Sequence, residues 1–418
     1  MKLLIFTYAP AGLGHLRVTD ALADAMPLGN PYYLLGSIDK FITWAHRFTS
    51  LNSFGKFIFL KSQYGIFEEI FTRGYRRFLV MTAGSLYKDV KKIIEENSQV
   101  EEVWVIATHF GMAHQIGSFK DRLMKETGKK IRLVVQVTDD TSQRIWCIWG
   151  ADLTFVPSRH VQKEFEEYAA RYNYKFVSEV IPYPLSPTLT AMIPKEKGSR
   201  SDVFKDNGEI RIAVPISGAM VGLAFVMELI MLLSKSGKKL QIWVLVKKSS
   251  MTKVFVSVLA RIPGVIVVVG KNDAETVGLY ELMYQENIIH LEITKPSEQA
   301  FKAILSPRRV GGSILLFTDP VGRQEIENIE FLRRHGLVAG IGAEIHKEKN
   351  GSSAPRAIKL PRNAGDAAKY IIHAIDSGVF EYMTSGFHFS EKSLESGEIG
   401  PLGAKKFWSV LEKKFEVK

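Results

Sequence analysis

Four short stretches of the chain carry side chains able to hold an anion or move a proton. The first is Gly12-Leu13-Gly14-His15, directly after an apolar run at 3–8. Its glycines let the backbone turn tightly and approach a ligand, and a helix starting near Leu16 offers unpaired N–H groups to an anion. An imidazole titrating near ~6.5 is neutral enough at pH 7 to accept a proton. His15 therefore reads as a general base or as a capped, structural histidine. The second stretch is Thr138-Asp139-Asp140, with Trp146 and Asp152 beyond it. Asp139 at the end of a buried strand can take a proton or bind hydroxyls; the alternative is a helix N-cap made by Asp140 or Thr141. The third, Ile293-Thr294-Lys295-Pro296-Ser297, and the fourth, Asp319-Pro320-Val321-Gly322-Arg323-Gln324-Glu325 followed by Asn328, again stand where apolar runs meet helical patterns. Lys295 and Arg323 can supply fixed positive charge. Adjacent acids on a strand face opposite ways, so Asp139 and Asp140 do not suggest a metal site, and no metal is expected.

Strand and helix patterns alternate around these stretches. Strands are expected at 3–8, 103–108, 131–137 and 153–156, with helices at 16–26, 87–96 and 160–172. A second series starts at Ile210, with strands at 210–216, 240–246, 265–269, 288–293, 314–317 and 337–341. Helices are expected at 366–376 and 403–415. Such alternation predicts mostly parallel sheets covered on both faces. The prolines of 181–190 and the polar run 195–208 read as a linker between two α/β domains. Open sheets of this kind bind ligands at the carboxyl ends of their strands, which predicts a cleft there.

The size agrees with two domains, since 418 residues exceed what one core usually serves. The formal charge of +11 favours an anionic partner. No clustered Lys/Arg run or nucleic-acid motif is present, so nucleic acid is not an expected partner. A single cysteine, Cys147, allows neither an internal disulfide nor a cysteine zinc site and fits a reducing cytoplasm. The most apolar stretch, 221–233, is broken by Glu228 and is too short to span a bilayer.

The segment 41–78 stands apart. It concentrates aromatic residues, among them Trp44, Phe54, Phe57, Phe59, Tyr64, Phe67, Phe71 and Tyr75, beside Arg47, Lys56, Lys61, Arg73, Arg76 and Arg77. Basic residues among aromatics describe an element lying in a membrane interface. A pair of core helices with solvated charged faces gives the same pattern.

Taken in order, the four stretches resemble the glycosyltransferase family of monogalactosyldiacylglycerol synthase and processive diacylglycerol glucosyltransferases. More distantly they resemble the lipid I N-acetylglucosaminyltransferase. Gly12-Leu13-Gly14-His15 with Ala21-Leu22 resembles the family's GGH turn and helix. Val137-Thr138-Asp139 through Trp146, Asp152 and Val156 resembles its TD-x-x-x-H-x-x-W block. Tyr183-Pro184-Leu185-Ser186-Pro187 resembles its G-[IY]-P-V-x-P segment, and Glu281-Leu282-Met283 with Ile293-Thr294-Lys295-Pro296 its LM…ITKPGG stretch. Gln324-Glu325 and Asn328 resemble GQE-x-x-N. Departures fall at the donor motifs: Gln143 replaces the block's histidine, Ser297 and Glu298 the paired glycines, Ala303 the ribose-holding acid and Arg323 the glycine before Gln324. The glycine-rich loop is shortened to Ser217-Gly218-Ala219.

The resemblance implies an α/β chain of GT-B type, with two Rossmann-like domains facing across a cleft. Residues 1–187 would form the acceptor-side domain, 188–208 the linker and 209–375 the donor domain. Residues 376–418 would form a helical segment packing back on the first domain. It implies a metal-independent, cofactor-free inverting transfer of a sugar from a nucleotide-sugar, expected to be a UDP-sugar, to a lipid or lipid-linked acceptor. The setting would be an anionic membrane surface, with the protein peripheral on the inner face of the cell membrane. His15 and Asp139 are the expected catalytic residues; Gly14, Ser217, Gly218, Lys295, Glu298, Gln324, Glu325 and Asn328 are the expected donor contacts. The altered donor motifs leave open a nucleotide-sugar 2-epimerase of the same fold, or a GT-B protein that binds nucleotide without turnover.

Overall fold

A computed structural model of the chain describes residues 2–8, 13–36, 62–190, 200–205, 208–216, 222–305, 313–316, 322–339, 354–385 and 389–416. The glycine turn at 9–12, the aromatic stretch 37–61, the Ser217-Gly218 loop and residues 317–321 lie outside them. The chain divides into two compact units. One comprises Met1–Ser186, Gly322–Gln324 and Gly397–Lys418; the other comprises Pro187–Val321 and Glu325–Ser396.

The first unit contains β1 (Lys2–Tyr8), α1 (Leu13–Asp24), β2 (Tyr32–Gly36), α2 (Gly65–Met81), α3 (Gly84–Glu96), β3 (Glu102–Ala107), α4 (Phe110–Thr127), β4 (Lys130–Gln136), β5 (Leu153–Val156), α5 (Arg159–Arg171) and β6 (Ser178–Val180). The strands form one parallel sheet in the order β2-β1-β3-β4-β5-β6. The central strands are apolar on both faces because helices cover both. Leu3 and Ile5 of β1 join a core with Val90, Ile94 and Ile116 of α3 and α4. Phe6, pointing the other way, meets Trp408 edge-on at 6.2 Å.

Local signals place the helix ends. Ser158 caps α5, its side chain accepting the N–H of Val161, and Gly128 ends α4 in the left-handed region at φ 66°. Gly117, inside α4, lies against the Trp149 carbonyl; a Cβ there would stand 2.1 Å from that oxygen.

The second unit opens its sheet with β7 (Ile210–Pro215). It continues through α6 (Leu223–Ser234), β8 (Leu240–Lys247), α7 (Lys253–Leu259), β9 (Val265–Gly270), α8 (Asp273–Glu286) and β10 (Leu291–Thr294). Then come α9 (Glu298–Leu305), β11 (Ser313–Leu316), α10 (Arg323–Arg334, which enters the second unit at Glu325), β12 (Val338–Ala339), β13 (Ala357–Lys359), α11 (Ala364–Asp376) and α12 (Val379–Ser385). The parallel sheet runs β12-β13-β11-β10-β7-β8-β9. Asn272 caps α8 and Asn363 caps α11, each through its side-chain oxygen. On β10, Leu291 and Ile293 enter the core that α6 and α11 cover. Glu292 alternates to the opposite face. It is fully buried and accepts the Tyr280 hydroxyl at 2.9 Å and the Tyr284 hydroxyl. This satisfied polar core was not foreseen from the sequence.

Phe380 and Met383 of α12 belong to the second core. Only from Gly397 does the chain belong to the first unit again. There α13 (Gly403–Glu416) packs Phe407 on Phe155 with ring centres 4.5 Å apart, and Trp408 donates its indole N–H to the Leu22 carbonyl at 2.8 Å.

Candidate functional site

In the first unit the chemistry gathers where β3 and β4 end beside the first turns of α1. Gly14 is buried in the opening turn of that helix, and His15 is half-buried. The His15 Nδ1 lies 2.7 Å from the Thr108 carbonyl oxygen. A carbonyl can only accept, so Nδ1 carries the proton and Nε2 is the basic nitrogen of the neutral ring. Three threonines fix the ring and its helix. The Thr19 hydroxyl donates to the His15 carbonyl at 2.9 Å and lies 2.8 Å from the Thr108 hydroxyl, which itself reaches the His15 carbonyl at 3.1 Å. The Thr138 hydroxyl stands 3.3 Å from Nδ1. The His109 ring meets the His15 ring edge-on at 5.0 Å, and the Trp146 ring lies 6.2 Å away.

Asp139, just past the end of β4, is half-buried. Asp140 beside it is buried and accepts the hydroxyl of Ser158 at 2.5 Å. Since Ser158 is also the cap of α5, Asp140 holds the cap rather than forming one itself. Thr108, His109 and Thr19 were not singled out from the sequence. The available signal was position: Thr108-His109 follows β3 just as Thr138-Asp139 follows β4.

In the second unit Lys295, at the end of β10, places its ammonium 2.7 Å from the Glu325 carboxylate. The Glu325 side chain is only 3% exposed. Asn328 is fully buried and donates to the Pro296 carbonyl at 3.3 Å. Three of the expected donor residues thus form one local framework around the Lys295-Pro296 turn. That turn closes with the Ser297 N–H donating to the Lys295 carbonyl at 2.8 Å. The Ser297 hydroxyl is buried without a hydrogen-bond partner among the described residues, at the N-terminus of α9. The Gln324 side-chain oxygen, in the short segment that belongs to the first unit, is likewise buried and unpaired among the described residues. Buried polar atoms of this kind normally have partners, so each is a candidate ligand contact. Glu298 begins α9 and Ala303 lies within it; their side chains, like Ser217 and Gly218, are outside the description. Among the described residues no three of His, Cys, Asp and Glu converge closely enough to hold a metal ion.

No protein-family model matches the chain, and no curated protein matches its sequence. Solved structures do match its fold. A Staphylococcus aureus structure described as MnaA with UDP superposes with a TM-score of 0.54 at 9% identity, covering 100% of this chain and 98% of that one. A UDP-glucosyltransferase from Polygonum tinctorium, described as capable of glucosylating indoxyl, gives 0.51 at 10% identity, covering 100% and 99%. HepE from Anabaena, described in complex with UDP and glucose, gives 0.50 at 11% identity, covering 99% of each chain. At such identities the likeness establishes the fold: two parallel-sheet, Rossmann-like units of the GT-B class.

Proposed function

We propose that the protein transfers a sugar from a nucleotide-sugar, a UDP-sugar, to a hydroxyl of a lipid or lipid-linked acceptor at a membrane surface. The observation that carries this reading is the His15 ring. Its Nδ1–H is committed to the Thr108 carbonyl, so Nε2 is the atom that takes the acceptor proton. As the acceptor oxygen loses that proton it attacks the anomeric carbon. The bond from that carbon to the diphosphate oxygen breaks, and the nucleoside diphosphate leaves with the electron pair. Attack opposite the leaving group inverts the anomeric centre. Asp139 orients acceptor hydroxyls.

The donor falls to the strand-end framework of Lys295, Glu325 and Asn328, with Gly14, Ser217, Gly218, Glu298 and Gln324 completing the contacts. Backbone N–H groups and the Lys295 ammonium offset the developing diphosphate charge, so the reaction proceeds without a metal. Two proteins of like fold are described with UDP bound, which supports a uridine donor.

The membrane part of the reading is supported by α2. Ile66, Phe67, Ile70, Phe71, Phe78 and Met81 are all exposed along this one helix, Met81 to 84%, with Arg73 and Arg77 exposed beside them. Exposed apolar side chains in helical register with arginines suit an interface between water and lipid. No described helix is long and apolar enough to cross a membrane, so contact would be peripheral, at the cytoplasmic face.

The test is transfer of radiolabelled sugar from a panel of nucleotide-sugars into the organic-extractable fraction of mixed vesicles. Label entering that fraction supports the proposal. Donor consumption with label kept in the nucleotide pool as an epimer would refute it.

A further inference from the structure

A groove of 890 Å³ lies along α2 within the first unit, walled by α4, the Trp149-Gly150 turn and the end of α5. It shares none of its lining with the His15 cluster. Its apolar walls come from Val80, Met81, Trp149 and the tyrosines at 168, 172 and 174. Val80 and Met81 also belong to the exposed face of α2, and Trp149 is 60% exposed, so the groove and the exposed apolar helix form one continuous surface.

The charges in the groove are unequal. Arg73 and Arg144 both hold the Glu69 carboxylate, at 2.6 and 3.0 Å. Arg76 is different. Its guanidinium donates to the Arg144 and Cys147 carbonyls at 2.6 and 3.0 Å and lies over the Trp149 and Tyr168 rings, with centroids 5.8 and 5.7 Å away. No ion pair to Arg76 or Arg77 is present among the described residues, and Asp121 is the one remaining acid of the lining. A half-buried guanidinium fixed by neutral groups keeps its charge undiminished. The positive potential is felt nearby: burial and the Arg76 charge push His114, which also lines the groove, down to about 3.

We infer that this groove binds one anionic phospholipid, its phosphate against Arg76 and Arg77 and its proximal acyl chain along Val80, Met81 and Trp149. The inference rests on the membrane reading above for the source of the ligand and adds a defined lipid site to it. An apolar trough with a cationic rim, opening onto an exposed apolar helix face, matches an amphiphile with a negative head, and aromatic rings are suited to the headgroup level.

The experiment uses monomeric dihexanoyl phosphatidylglycerol, below its micelle concentration, with the full chain in native mass spectrometry and titration. A one-to-one complex is expected. Dihexanoyl phosphatidylcholine and glycerol phosphate should each bind at least tenfold more weakly. Arg77→Glu should lose at least tenfold in affinity. Ser118→Tyr, which fills the groove without changing its charge, should lose as much while its melting temperature stays that of the wild type. It should still sediment with phosphatidylglycerol vesicles through α2. Equal binding of the neutral lipid, glycerol phosphate binding as tightly as the lipid, or undiminished binding to Ser118→Tyr would overturn the inference. No sugar donor is present, so a failure of the transferase proposal leaves this result readable.

Discussion

The Nδ1 of His15 and the carbonyl oxygen of Thr108 stand 2.7 Å apart, joining the first turn of α1 to the end of β3 across 93 residues of sequence. This bond assigns the two ring nitrogens different jobs before any substrate arrives. One is anchored; the other is the atom proposed as the base. Histidine ¹⁵N chemical shifts in the free protein should show the Nδ1–H tautomer for His15. A dominant Nε2–H signal would remove the basis for its assignment as the base.

His15→Ala should lower turnover by about 10²–10⁴-fold, the usual contribution of general base catalysis. UDP affinity should stay within about twofold, because the proposed donor framework is built from other residues. Parallel loss of both, measured by kinetics and calorimetry, would make His15 structural. Thr19→Val should reduce kcat less than His15→Ala does, since it removes one clamp on the ring's helix and leaves the Thr108 carbonyl in place.

Lys295 and Glu325 must be tested together. Lys295→Ala alone leaves a buried carboxylate without its cation, a situation that costs roughly 3–5 kcal/mol in buried pairs. The single variant should therefore melt well below wild type. Lys295→Met with Glu325→Gln should recover most of the stability. UDP at about 100 times its dissociation constant should stabilise the wild type by roughly 2.7 kcal/mol, and the recovered double variant by less. Equal stabilisation of the two proteins would take Lys295 and Glu325 out of the donor site.

Gly117→Ala should destabilise the first unit by about 1–2 kcal/mol despite placing a better helix former in α4. The helix gains about 1 kcal/mol from losing a glycine. The new Cβ, however, meets the Trp149 carbonyl at 2.1 Å, and overpacking against backbone outweighs that gain. Denaturant unfolding decides the sign.

Acid should weaken both units through two buried histidines. Burial holds His114 near about 3 and His290 near about 4. His290 also accepts the Arg211 N–H on its Nδ1 at 2.9 Å, a bond only a neutral ring can make, whereas at His114 burial and the Arg76 charge outweigh the Ile145 carbonyl bond, which favours the charged ring. Both folded values lie below the unfolded ~6.5. As pH falls below ~6.5 the unfolded chain binds protons that the native chain does not, and stability drops until the folded values are reached. His290→Asn and His114→Gln should each flatten the fall in stability between pH 6.5 and 4.

The fold was legible because strands of a doubly covered parallel sheet are apolar on both faces. The runs around 103–108 and 131–137 stand out for that reason. Edge strands lack that signature. In β2, Tyr32, Leu34 and Gly36 are exposed and Tyr33 and Leu35 only half-buried. The strands Ser178–Val180 and Ala357–Lys359 have three residues each, too few to show a period. The junctions that carry chemistry were legible as positions. Their partners were not: Thr108 lies 93 residues from His15, and Glu325 lies 30 from Lys295. Only folding brings them together.

The most direct test of the central claim is the configuration of the product. With an α-linked UDP-sugar and lipid vesicles, the anomeric coupling in the proton spectrum of the extracted lipid should report a β-glycoside. The signal should vanish with His15→Ala. An α-glycoside, free sugar without a lipid product, or undiminished product from His15→Ala would contradict inverting transfer with His15 as its base.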